Sequence, residues 1–70
     1  MNYISALEAL LFAFGDDGIA LLEVQKMFEM DDVSFEAFII GFQEAFQSED
    51  HGIECVKYGD RIKFITKSQH

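Results

Sequence analysis

Positive charge is what this chain has least of. Five Lys and Arg residues stand against thirteen Asp and Glu, a formal net charge of −8. Affinity for nucleic acid comes mainly from neutralising phosphates with Lys and Arg. The balance therefore argues against strong autonomous DNA binding, a statement about association and not about fold. Cysteine is scarcer still: the single Cys55 has no internal disulfide partner, which fits a reducing compartment. The amino terminus MNYISALEALLFAFG lacks the cationic n-region of a signal peptide, and Glu8 interrupts its apolar run. No stretch approaches the roughly 18 apolar residues that span a bilayer. The expectation is a cytoplasmic protein with no membrane contact.

Catalytic constellations are missing as well. There is no glycine-rich phosphate loop and no Ser with a positioned base. His51 sits in a polar loop and His70 is the last residue, neither with a partner at ligand or triad spacing. Glu49, Asp50 and His51, adjacent on one loop, read as solvated side chains rather than as metal ligands. The turn Gly15-Asp16-Asp17-Gly18 lacks the alternating ligands and closing Glu of a calcium loop. Cys55 falls on the inner face of a predicted strand, where a thiol behaves as a small inert hydrophobe. The chain is therefore expected not to be an enzyme, with no catalytic residue, metal, cofactor or small-molecule substrate.

Apolar side chains, by contrast, are abundant. Half of the 70 residues are hydrophobic, eight of them Phe. A domain this short buries only about 60% of its unfolded surface, and its core rarely supplies more than about 3–5 kcal/mol. The surplus is either ordinary exposed aliphatic surface or a surface covered by a partner.

The chain is organised around Asp31 to Ser48. Phe35, Phe38, Ile39, Phe42 and Phe46 recur at helical spacing and share one face, with Asp31 at the N-cap position. The opposite face carries Val33, Glu36, Ala37, Ile40, Gly41, Glu44 and Gln47, and no Lys or Arg. Ahead of it, Asn2–Phe14 reads as a first helix with Tyr3, Ile4, Leu7, Leu10, Leu11 and Phe14 inward. Leu21–Met30 reads as a short second helix with Leu21, Val24, Met27 and Phe28 inward. Ala20 is a poor cap, so its first turn is expected to fray. Ile53–Tyr58 and Arg61–Thr66 read as strands joined by a type II′ turn at Gly59-Asp60, with Cys55 opposite Phe64 and Ile53 opposite Thr66. Outward go Glu54, Val56, Tyr58, Arg61, Lys63 and Ile65. The predicted fold is mostly α with a small β wing (α+β): a winged helix-turn-helix of three helices and a β-hairpin.

Two surfaces are candidates for contact. The first joins Phe12 and the ridge of Ala9 and Ala13 to the outer wing residues Val56, Tyr58 and Ile65. Phe12 has two readings, contact with another subunit or contact with the chain's own wing or carboxyl end. The second surface is Val33, Ala37, Ile40, Gly41 and Glu44 on the third helix, a flat apolar strip edged by acids, which suits protein better than nucleic acid. Lys57, Arg61, Lys63 and Lys67 lie on or just after the hairpin. They read as a solvated mixed-charge wing, as a dock for an acidic protein, or as weak DNA contacts in a larger assembly.

Leu7-Glu8-Ala9-Leu10-Leu11-Phe12, the Gly-Asp-Asp-Gly turn, Gly52-Ile53-Glu54 opening the wing and Arg61-Ile62-Lys63-Phe64-Ile65-Thr66-Lys67 closing it carry a resemblance over nearly the whole chain. It resembles the amino-terminal winged-helix domains of the segregation and condensation protein B (ScpB) family, accessory subunits of bacterial SMC–kleisin complexes. The resemblance implies a single winged-helix domain over residues 1–70, the amino-terminal fragment of a longer two-domain protein. It implies homodimerisation and binding to the kleisin ScpA, and through it to SMC. The implied role is chromosome condensation, segregation and partition in the cell cycle, in the cytoplasm at the nucleoid. The alternative from another class is a DNA-binding transcriptional regulator on the same fold.

Overall fold

A computed structural model of the chain describes residues 2–47 and 52–66. The first helix, α1 (Tyr3–Phe14), starts where Asn2 supplies a cap: its Oδ1 accepts the Ser5 amide at 3.1 Å. A turn closed by the Gly18 amide donating to the Gly15 carbonyl leads into a two-residue strand, β1 (Ile19–Ala20), too short to leave an alternating pattern in the sequence. It runs directly into α2 (Leu21–Phe28), followed by α3 (Asp32–Ala45), β2 (Ile53–Tyr58) and β3 (Arg61–Thr66). The sheet order is β1-β3-β2, antiparallel throughout. The architecture is the expected α+β winged helix.

The hairpin has the predicted register, Cys55 opposite Phe64 and Ile53 opposite Thr66. Gly59 takes φ +56° while Asp60 stays out of the positive region, as a type II′ turn requires. Sheet pairing also supplies a backbone partner at the start of α2, where the sequence offers no capping side chain. Ala20 makes no side-chain cap, yet Ala20 is paired with Arg61, and the Leu21 amide donates to the Asp60 carbonyl at 2.8 Å. The hairpin tip thus does the work of a capping side chain.

The second helix ends at Phe28, before the expected Met30. Glu29 takes the left-handed conformation (φ +55°), and the Met30 amide reaches back to the Gln25 carbonyl at 3.3 Å. Gln25 Nε2 holds the turn from the other side, donating to the Met30 carbonyl at 3.1 Å and to Asp32 Oδ1 at 2.8 Å. Asp31 occupies the N-cap of α3 but makes no cap bond to the helix of standard geometry. Hydrogen bonding from the Ser34 hydroxyl holds its carboxyl below the usual carboxylate range, against a small opposing effect of burial.

The core is continuous through all three helices and the hairpin: Leu7, Leu11, Val24, Phe28, Phe35, Ile39, Phe42, Phe46, Cys55 and Ile62 are buried. Rings connect it end to end, from Tyr3–Phe28 (centroids 4.9 Å apart) through Phe38 and Phe42 to Phe46–Phe64 (5.0 Å). Such pairs add about 0.5–1.5 kcal/mol each beyond their buried area. Four predicted inward residues are exposed instead, the first being Tyr3, whose ring still packs on Phe28 and Phe38. Ile4 and Phe14 lie toward the ends of α1, where the rest of the fold no longer covers them, and Met27 flanks the Val24–Phe28 seam.

Candidate interaction surfaces

The third helix presents the predicted division. Phe35, Ile39, Phe42 and Phe46 are buried, while Val33 is 78% exposed and Ile40 is 51% exposed. Glu36, Ala37, Gly41 and Glu44 are exposed beside them. A Cβ built on Gly41 meets nothing within 4 Å, so no neighbour inside this chain calls for a glycine there. At the wing side of this face a small groove is lined by Leu21, Gln25, Asp32, Phe35, Glu36, Ile39 and Lys57.

The first helix and the wing form a second surface. Phe12 is 63% exposed, yet its ring lies 5.0 Å from that of Phe64, so part of it is committed to the wing. An open groove of about 380 Å³ runs beside it, lined by Leu11, Phe12, Gly15, Asp16 and the β3 run Lys63–Thr66, Ile65 included. Ala9 and Ala13 are exposed on α1, while Val56 is half-buried in β2. Not all of the predicted set comes together. Tyr58 pairs with Arg61 at the wing tip and Ile65 with Glu54 at its base, about 13 Å apart at some 3.3 Å per strand residue.

Tyr58 is engaged inside the chain in a way the sequence does not announce. Its hydroxyl donates to the Asp17 carbonyl at 2.6 Å. Arg61 joins it: Nε donates to the same carbonyl at 3.1 Å and Nη2 to the Gly18 carbonyl at 2.6 Å. Gly18 has φ +83°, and a Cβ there would stand 2.6 Å from the Tyr58 hydroxyl oxygen. Two side chains on the outer wing therefore clamp the loop between α1 and β1.

The clamp bears on the wing's positive charge. Arg61 is tied to uncharged carbonyls, and Lys63 lies 6.0 Å from the centre of the Tyr58 ring. Lys67, His70 and the Glu49-Asp50-His51 group lie outside the described residues. Among the described residues no three His, Cys, Asp or Glu side chains converge to hold a metal, and no helix is long and apolar enough to cross a membrane. Cys55 is buried, and that burial pushes its thiol pKa up to about 11.

The fold can be compared with known proteins. The family model for the segregation and condensation complex subunit ScpB matches residues 5–70. The chain belongs to the ScpB family. Among curated relatives, the segregation and condensation protein B of Bacillus licheniformis is 32% identical over 69 residues, 99% of this chain and 35% of its own length. The Geobacillus kaustophilus protein of the same name is 35% identical over 63 residues, 90% of this chain and 29% of its own length. The chain thus spans about a third of the length of the curated relatives it matches. A solved structure of the ScpB N-terminal domain, a dimer complexed with an ScpA peptide, superposes with a TM-score of 0.81 at 33% identity, covering 91% of this chain and 79% of that one.

Proposed function

We propose that this winged helix is a non-enzymatic accessory domain that pairs with a second copy of itself and binds the kleisin ScpA, and through it SMC, in chromosome condensation and segregation. The observation that carries this reading is the likeness to a solved domain that is itself a dimer holding an ScpA peptide. The exposed face of α3 supports it, because the helix that enters the major groove in DNA-binding relatives of this fold offers Glu36 and Glu44 here and no cation. The same reading takes the chain as the amino-terminal part of a longer two-domain protein, acting in the cytoplasm at the nucleoid.

The dimer contact in this reading is the α1–wing surface. Phe12, Ala9 and Ala13 give an exposed aromatic beside small residues, and Glu8, Asp16 and Lys63 border it with both signs of charge. A surface of mixed sign can face its own copy across a two-fold axis. The test is sedimentation at micromolar concentration with co-precipitation of ScpA, comparing this chain with the two-domain protein. The wild type is expected to sediment as a dimer and retain ScpA, and Phe12→Glu and Ala9→Glu are expected to sediment as monomers. A wild type that is monomeric and leaves ScpA in solution refutes the proposal.

A further inference from the structure

The hydrogen bonds of the wing alternate, and the alternation leaves one row of backbone groups unanswered. The two-residue turn at Gly59-Asp60 makes Tyr58 and Arg61 a bonded pair, so Arg61, Lys63 and Ile65 point their amides and carbonyls toward β2. Ile62, Phe64 and Thr66 point theirs the other way. β1 uses the near end of that row, with Ile19 opposite Ile62 and the Leu21 amide donating to the Asp60 carbonyl. Only two residues long, β1 stops there. Past it, no backbone group among the described residues bonds Phe64 or Thr66 on that side. These free groups border the groove of about 380 Å³ beside the exposed Phe12 ring.

An open edge is a template for another strand unless charge, proline or a bulge blunts it. β2 has a free edge as well, but that strand carries Glu54 and Lys57. The free stretch of β3 offers Phe64 and Ile65, and its Lys63 turns toward the Tyr58 ring. We propose that the β3 edges of two copies of this chain pair antiparallel across a two-fold axis and join both sheets into one. The proposal rests on the dimer reading of the α1–wing surface and names the contact that builds it. Register follows from which groups are free. Setting Phe64 opposite Thr66 of the second copy, and the reverse, uses both free positions of each chain. Setting Phe64 opposite Phe64 would bring Thr66 against Ile62, which β1 already occupies. Ile65 then lies on the axis and faces its own counterpart, a close pair of β-branched side chains. In the single chain it is 38% exposed, as an unpaired side chain would be.

Proline at position 66 removes one outward amide and no bond to β2, and the end of an edge strand tolerates it. Thr66→Pro should weaken self-association at least tenfold in sedimentation, while Thr66→Val, which keeps the amide, should stay within threefold of wild type. Ile65→Cys should cross-link to its counterpart under mild oxidation, because such pairs sit about 4.5 Å apart at Cα, within disulfide reach. Glu54→Cys, one strand further from the axis in each copy and so about 14 Å from its counterpart, should not. Protection of the Phe64 and Thr66 amides from hydrogen exchange should rise with the concentration of this chain alone. Thr66→Pro self-association within twofold of wild type, a dimeric Ile65→Cys that does not cross-link, or protection that arises only with ScpA overturns the edge pairing and leaves the dimer reading standing. A wild type that is monomeric at micromolar concentration overturns both.

Discussion

Gly18→Ala is the sharpest test of how the wing is held to the helices. Gly18 sits at φ +83°, where an L-residue is strained by about 1–2 kcal/mol. The new Cβ would also stand 2.6 Å from the Tyr58 hydroxyl oxygen, which must move and give up its bond to the Asp17 carbonyl. That bond is worth about 1 kcal/mol net. The total loss, about 2–3 kcal/mol, is a large part of the about 3–5 kcal/mol that so small a core supplies. It corresponds to a folded-to-unfolded ratio lowered by roughly thirty- to a hundred-fold at about 1.4 kcal/mol per decade. Urea unfolding followed by circular dichroism reads it as a lower midpoint at unchanged slope. Tyr58→Phe removes the hydroxyl alone. In that background Gly18→Ala should cost only the backbone part, a coupling of about 1 kcal/mol in the double-mutant cycle. A Gly18→Ala loss below about 0.5 kcal/mol, or strict additivity with Tyr58→Phe, refutes the clamp.

Two further outcomes follow from positions the fold treats unusually. Glu29→Gly should stabilise the domain by about 0.5–1 kcal/mol, raising the thermal midpoint by several degrees. It relieves a left-handed non-glycine residue and removes an acid from the unfavourable end of the α2 dipole, against the greater chain entropy of glycine. An unchanged or lower midpoint contradicts this. Cys55 should resist iodoacetamide at pH 8 in the folded protein and react in urea, because its thiol stays protonated up to about pH 11. The unfolded thiol ionises from about pH 9, so the folded state binds more protons between roughly 9 and 11. Stability should therefore fall as pH rises through that window, and Cys55→Ala should flatten the decline. Rapid alkylation of the folded chain would contradict this.

The sequence-level expectation for Tyr58 changes in the light of the clamp. Strand alternation sends this residue outward, which makes it a candidate contact residue and Tyr58→Glu an obvious probe of an interface. With its hydroxyl bonded to the Asp17 carbonyl, that substitution would loosen the loop before α2 whether or not a partner binds there. Phe12 and Ala9 report on association with less risk, and Ile40 and Gly41 do so for α3. Of the two readings of Phe12, contact with the wing is present in the folded chain through Phe64, while most of the ring is still left to solvent.

What the amino acids determined on their own was whatever repeats along the chain. Spacing of the phenylalanines defined α3 and both of its faces, Asp31 marked a helix start, and Gly59-Asp60 with alternating apolar residues set the hairpin register. Each of these is a local preference summed over many residues, so it survives without knowledge of neighbours. The tertiary structure alone decided the rest: that Ile19-Ala20 pairs with β3, that the Asp60 carbonyl caps α2, and that Tyr58 and Arg61 reach back across the sequence to the Asp17–Gly18 loop. It also decided that Ile4, Phe14 and Met27 stay exposed. Those outcomes depend on which distant segment arrives beside a given backbone group, and a pair of bonds between remote residues leaves no periodic trace in the sequence.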